Sequence, residues 1–526
     1  MLYTDCLILG GGLAGWMAAR ETVKAGMDTL IVHDGMGASP WVHGFNAPVR
    51  KGDNAGVFLQ DTLKSGQGLS DPLLAEALCT DAGEIFKDLQ NLGLEFNRDG
   101  EEYQALRPLG STYPRVVSIG NETGAAVLRR LRQLLDGKVH ELPHSRALRL
   151  LGQQGRVCGA LVYNTAKQEW TVISAKAVIL ACGGFCGIYP VSTNKRDSGG
   201  DGIAMAYEIG AKLCDLEFIQ FEPSAAVWPK ELIGTSMITT LFFEGAVLRN
   251  RHGERFMLKY DEAGERVGKD VLARCISAEI ACGNGTEHGG VYMDITGVDT
   301  ELLNSRYAMY VKRYADVGID ITKEWIELAP APHTALGGVT ITPECRTTVS
   351  GLFACGEVIG GLHGANRVGG NAGLETLVFG RRAGFSAADY AAKQEQLTPS
   401  CPIPVCAGES IAETLNHLRS RMQEALWNHL GPARSMKGLL DVIGTLQECL
   451  EKVHTLQGAS SEENFLRLRL ENDLTAAWLT ANSAYARDNS VGCHSRSDYP
   501  GAEISPLRTT LQKGYDVTVL IRKESV

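Results

Sequence analysis

Four side chains have types and surroundings that could move a proton or hold a carboxylate: Glu222, Lys269, His333 and Arg367. Lys269 lies in "GERVGKDVLARC" (264–275), where a helix starts and Asp270 follows at once. Helix starts collect charges for ordinary electrostatic reasons, so this stretch alone reads as a solvated surface charge. A lysine drawn out of water differs, because it can release its proton near neutral pH and an arginine does not. Arg367 sits in "GGLHGANRVGGNAGLETLVFGRRAG" (360–384), flanked by Asn366, Gly369, Gly370 and Asn371. Such small neighbours let a guanidinium meet a planar carboxylate with two N–H bonds, although a loop arginine can equally tie down backbone carbonyls. His333 stands in "APAPHTALGGVTI" (329–341), four residues before a Gly-Gly pair, and read alone is a satisfied core or surface histidine. Glu222, in "FIQFEPSAAVWP" (218–229), lies among aromatic and proline residues, where an unpaired buried carboxylate would be costly. "SVGCHSRSDYP" (490–500) adds His494 and Arg496, whose spacing reads as a polar surface turn.

Something must position these groups. "DCLILGGGLAGWMAARETVKAGMDTLIVHD" reads strand, glycine turn, helix, strand, with Leu7, Ile8 and Leu9 as a buried parallel run. Gly10, Gly12 and Gly15 fit G-x-G-x-x-G, which turns the chain tightly and brings the helix N-terminus against a pyrophosphate. The ribose-binding acid belongs at the end of the second strand; the count reaches His33, with Asp34 one residue beyond. "AKAVILACGGFCGIYP" (175–190) is another buried strand, ending in Gly183 and Gly184, and "VSGLFACGEVIGG" (349–361) ends in Gly356 and Glu357. Roughly 170 residues separate these two strands, too many for a connection, so a second domain is inserted there. Beyond about residue 400 the pattern turns helical. Ile411, Leu415, Leu418, Met422 and Leu426 form one stripe, and Leu439, Leu440, Ile443, Leu446, Leu450 and Val453 another; both read as core. "YDVTVLIRK" alternates as a strand.

Composition bounds the rest. A chain of 526 residues exceeds one core and implies two to three domains. A net charge of −10 without long runs argues against nucleic acid and against a basic membrane-binding face. No stretch is long and apolar enough for a membrane span, and the chain enters a strand without a signal peptide, which implies a soluble cytoplasmic protein. Fourteen scattered cysteines without a C-x-x-C pair imply no metal or iron–sulfur site held by this chain.

The ordered segments "LILGGGLAG", "STYPRVVSIGNETG", "DGIAMAYEIGA", "HGERFM", "HTALGG", "LFACGEV", "LHGANRVGGNAGLE" and "ARDNSVGCHSRSDYP" resemble the flavoprotein family of fumarate reductase, succinate dehydrogenase and L-aspartate oxidase. The likeness runs from the first strand to about residue 500 and is nearest to the L-aspartate oxidase branch. It implies an α/β, Rossmann-like FAD-binding domain (1–218 and 337–400), an inserted α+β capping domain (219–336) and a helical C-terminal domain with a terminal strand (401–526). FAD would be held by Gly10, Gly12, Gly15, Asp34, Ser39, Gly183, Gly184, Asp201, Glu357, Asn371 and Leu374. The histidine that bonds flavin in respiratory members would follow Ser39, where this chain has Pro40, so non-covalent FAD is implied.

The same resemblance assigns the substrate carboxylate to His333 and Arg367, and puts Lys269 where the family keeps a proton-delivering arginine. Arg266, three residues earlier, is the competing choice. Glu222 replaces a family histidine and, with Thr239, completes the implied substrate-binding set. A glutamate there would repel a second carboxylate unless protonated or paired with Lys269. A substrate with one carboxylate and a neutral or cationic far end is therefore expected, rather than ordinary fumarate or succinate. The implied activity is hydride exchange between flavin N5 and a small carboxylate, by enoate reduction or the reverse CH–CH or CH–NH2 oxidation. The alternative is an electron-transfer flavoprotein subunit that relays electrons to an iron–sulfur partner.

Overall fold

The structure, a computed structural model, describes residues 1–108, 110–400, 402–500, 507–513 and 519–525. Its largest sheet grows around β1 (Leu2–Leu9), which is solvent-free from Cys6 onward. On one side β1 pairs in parallel with β2 (Thr29–Val32), which pairs with β3 (His140–Leu142). On the other it pairs in parallel with β6 (Glu169–Leu180), beyond which lie β5 (Arg156–Asn164) and β4 (Ser145–Gln153), both antiparallel to their neighbours. Leu7 therefore faces Leu30 on one edge and Val178 on the other. A later short strand (Leu352–Ala354) also runs parallel to β6, with Ala354 opposite Leu180.

Strand order departs in two directions from β1, which opens a crevice at the carboxyl ends of these parallel strands. Two helices begin at that crevice: α1 (Leu13–Lys24) and the long helix Asn371–Ala391. They pack backbone to backbone, since a Cβ on Gly380 or Gly384 would stand 2.6 or 2.3 Å from the carbonyl oxygens of Ala14 and Ala18. That close crossing holds both N-termini on the same opening.

A second, antiparallel sheet is built from residues between these parts: β7 (Ile219–Ala226), β8 (Val247–Arg249), β9 (Val291–Asp294) and β10 (Ile326–Ala335), in the order β7-β10-β9-β8. It has its own core, with Leu241, Leu248, Phe256, Leu272, Ile276 and Met293 fully buried. The helix α2 (Lys269–Glu279) lies against β7 with Leu272, Ala273 and Ile276 turned inward.

Three helices follow: Ala412–His429, Met436–His454 and Ser461–Ala486. Leu415, Leu418, Met422 and Leu426 are buried, as are Leu439, Leu446 and Val453. Leu440 is a correction, being 49% exposed. Consecutive helical residues point about 100° apart, so it cannot share the inward face of Leu439. The surface turn expected at 490–500 is a second correction: His494 and Arg496 are buried. The guanidinium of Arg496 donates to the carbonyls of Tyr485 and Arg487 at the end of the helix Ser461–Ala486 and pairs with Asp498. His494 accepts from Arg434 at 2.7 Å. Polar residues that meet their partners inside need no solvent. Val519–Ser525 pairs with Leu507–Lys513 as an antiparallel hairpin, whereas residues 515–518 of the expected terminal strand lie outside the described residues. No described helix is long and apolar enough to cross a membrane.

Candidate active site

A cavity of about 440 Å³ runs from the first glycine turn to Lys269, His333 and Arg367. At one end the β1–α1 turn is set by Gly10, at φ +132°, where a Cβ would meet the Ala181 carbonyl oxygen at 2.0 Å. Gly15 lies beneath the turn, close enough that a Cβ there would strike the Gly10 oxygen. Gly12 starts α1 with no side chain capping it, and Ser39 Oγ accepts the Leu13 N–H at 2.9 Å. The helix Asn371–Ala391 likewise starts at Gly370 without a side-chain cap, and Gly369, Gly370 and Gly373 line the cavity. Free N–H groups at two helix starts favour negative or electron-rich groups placed before them.

Asp34, Ser39, Gly183, Gly184, Asp201 and Glu357 also line the cavity. Arg146 stands between two of these acids, 3.1 Å from Asp201 and 3.6 Å from Asp34. Glu357 Oε1 accepts the Ala335 N–H at 3.0 Å, and burial pushes its carboxyl above the usual range. Asn371 and Leu374 do not reach the cavity: Asn371 accepts from Asn46 at 2.6 Å beneath the helix start, and Leu374 is fully buried.

At the other end, Lys269 is the first residue of α2, where the helix dipole disfavours a cation. The seating of α2 on β7 brings Lys269 Nζ to 2.5 Å from Glu222 Oε2. Glu222 is 4% exposed, and its second oxygen accepts from Ser224 at 2.9 Å. Burial raises the Glu222 carboxyl, but the Lys269 ammonium and the hydrogen bond from Ser224 outweigh it, so it lies below its ordinary value and stays ionised. His333 is driven down to about 3 by burial and by the cations Lys269 and Arg367, against a smaller opposing effect of Glu222. It is therefore neutral, with Nδ1 at 2.8 Å from Thr193 Oγ1. Burial also lowers Arg367, which keeps its charge as arginines do. Its Nη2 donates to Gln220 Oε1 at 2.9 Å, while among the described residues Nη1 reaches only its neighbour's carbonyl at 3.5 Å and the buried Nε has no partner.

Lys269, His333 and Arg367 thus share one space, and the Nη1 of Arg367 is held only by a long 3.5 Å contact among the described residues. Arg266 does not join them, because it is exposed on the short turn Gly264–Arg266. Thr239 is buried away from the cavity, and Glu222 stands behind Lys269 rather than on the lining. The repulsion expected from Glu222 is cancelled by that pairing, because ammonium and carboxylate sum to zero. Sequence reasoning passed over Thr193, Arg146 and Gln220. Only Gln220 carried a signal, since strand alternation relates it to Glu222.

The FAD binding domain family matches residues 5–372, and the fumarate reductase flavoprotein C-terminal family matches residues 419–511. The chain belongs to the fumarate reductase and L-aspartate oxidase flavoprotein family. It is a flavin-dependent oxidoreductase that uses FAD. Among relatives, one subunit of the fumarate reductase (CoM/CoB) of Methanothermobacter marburgensis is 36% identical over 94% of both chains. L-aspartate oxidase 2 of Ralstonia nicotianae is 33% identical over 98% of this chain and 94% of its own. The E. coli quinol fumarate reductase FrdA superposes with a TM-score of 0.89 at 25% identity, covering 100% of this chain and 97% of that one. The cavity suits the flavoprotein's cofactor: helix starts whose own N-cap residues are glycines for a pyrophosphate and a flavin edge, acids for hydroxyl groups, and a glycine-lined floor.

Proposed function

We propose that this flavoprotein reduces the C=C bond of a small 2-enoate, with Arg367 and His333 holding the carboxylate and Lys269 delivering the proton. Bound FAD, once reduced, supplies the hydride to the carbon β to the carboxylate. Arg367, on the cavity lining with a weakly held Nη1, would meet the carboxylate and stabilise the charge that spreads onto it as the hydride arrives. His333, neutral, would add a hydrogen bond without a second full charge. Lys269 would give its proton to the carbon α to the carboxylate, and being 26% exposed it can regain one from solvent.

The observation that carries this direction is the buried, ionised Glu222 against Lys269. The ion pair holds the Lys269 ammonium at the cavity, and an ammonium is the form that gives a proton in reduction. Because the pair is neutral overall, a second carboxylate meets no net repulsion. Fumarate therefore joins the monocarboxylic enoates as a candidate acceptor, and the name of the Methanothermobacter relative supports including it. Pro40 after Ser39 supports FAD held without a covalent bond, so acid precipitation should release it to the supernatant.

The test is anaerobic stopped-flow on dithionite-reduced protein, following the return of oxidised-flavin absorbance with fumarate, crotonate and an amino-bearing enoate. Rapid reoxidation by one of them supports the proposal. A second reading is an electron-transfer flavoprotein working with an iron–sulfur partner, and it is favoured by the Methanothermobacter relative, whose name makes it one subunit of its enzyme. It takes over if no enoate reoxidises the flavin and no saturated acid or amino acid reduces it.

A further inference from the structure

We infer that Thr193 is a positioning residue that fixes His333 in the tautomer protonated at Nε2, so that the ring presents an N–H donor to the cavity. Three residues after β6 and before Asp201 grip the end of β10 at His333. Pro332 O accepts from the backbone N–H of Thr193 at 3.0 Å and from Ser192 Oγ at 2.8 Å. Those two bonds occupy the two lone pairs of that carbonyl. Thr193 Oγ1 lies 3.3 Å from the same oxygen, at the long edge of hydrogen-bond range, but 2.8 Å from His333 Nδ1. The hydroxyl proton therefore goes to the nitrogen. Asn194 completes the grip, its Nδ2 donating to His333 O at 3.0 Å and lying 3.4 Å from Glu357 Oε1.

An Nδ1 that accepts is unprotonated, and a neutral ring then carries its proton on Nε2. The surroundings keep the ring neutral, since burial beside Lys269 and Arg367 brings its titration down to about 3. The opposite tautomer would turn a bare lone pair toward any carboxylate held by Arg367. Asn194, next to Thr193, ties the substrate end of the cavity to its cofactor end, because it contacts both His333 O and Glu357. The inference rests on His333 facing a carboxylate, but its measurement needs no substrate. It can therefore fail while the enoate proposal stands, and the reverse.

The experiment is nitrogen NMR of FAD-loaded protein grown on ring-15N histidine, with His333 assigned by the signals lost in His333→Asn. The wild type should show His333 with Nε2 protonated and Nδ1 as acceptor from neutral down to mildly acidic pH. Thr193→Val, similar in shape but without the hydroxyl, should lose that fixed pattern, giving an averaged or Nδ1-protonated ring. Thr193→Ser should restore it. Acetate, used as a carboxylate probe read by flavin absorbance, should bind Thr193→Val about fivefold more weakly, the loss expected for one ordinary hydrogen bond. A proton on Nδ1 in the wild type would overturn the inference whether or not any variant folds. So would an unchanged Nε2 pattern in FAD-loaded Thr193→Val.

Discussion

Two clusters in this protein set a histidine beside an arginine, one half-buried on the cavity and one fully buried, and they end differently. In the first, His333 and Arg367 line the cavity with Lys269, behind which Glu222 stands. In the second, His494 accepts from Arg434, which also donates to the carbonyls of Glu217 and Gly431, while Arg487 pairs with Glu217. Burial and nearby cations push both histidines down, His333 to about 3 and His494 well below its ordinary value. A displaced titration therefore does not separate a reactive site from a structural clamp. What separates them is where the arginine stands. Arg434 stands off the cavity and donates to the carbonyls of Glu217 and Gly431, with only Nη2 left unpartnered among the described residues, whereas Arg367 lies on the cavity lining beside Lys269 and His333.

The sharpest way to break the comparison is to remove each arginine. Arg367→Ala should lower kcat/KM with an accepted enoate by about 10³, in the range of losing a key charge-stabilising donor, with little change in Tm. Arg434→Met should do the reverse, costing roughly 3 kcal/mol of stability by urea unfolding and leaving the folded enzyme active. Equal effects on activity would erase the distinction.

The Glu222–Lys269 pair comes next. Glu222→Gln and Lys269→Met each strand a partner, so a double-mutant cycle on stability should show coupling of about 1–3 kcal/mol. Additive losses would mean that the pair is not formed. Acid then tests both histidines together. The unfolded chain takes protons below about pH 6.5 that the native rings refuse, so it binds more protons and stability falls as pH drops toward the native values. His494→Asn should flatten the fall of Tm between about pH 6.5 and 4, and an unchanged slope would place His494 outside that balance. The smallest effect belongs to Arg266→Ala. An exposed side chain away from the cavity should change stability by less than about 0.5 kcal/mol and leave turnover intact.

The nucleotide end was legible in the sequence because close backbone approach demands glycine, and Gly10, Gly15 and Gly184 each sit where a Cβ would strike a neighbour within about 2 Å. The reaction end was half legible. The family resemblance reached Lys269 but left Arg266 open, and the seating of α2 on β7 separates them. The pairing of Lys269 with Glu222, 47 residues away, could be raised only from the family resemblance, because no local pattern specifies it. Thr193 acts on a ring 140 residues distant, so nothing around it in the chain marks it. His494 and Arg496 were misread for a related reason, since polarity along the chain does not reveal that a helix end will supply the carbonyls they need.

The most direct measurement is reoxidation of reduced flavin by the accepted enoate in Lys269→Met, beside wild type and Glu222→Gln. The account predicts a fall on the order of 10³ for Lys269→Met, a much smaller one for Glu222→Gln, and substrate binding to the oxidised protein retained in both. A Lys269→Met enzyme that reoxidises within about threefold of wild type would contradict it, because the proton would then come from elsewhere.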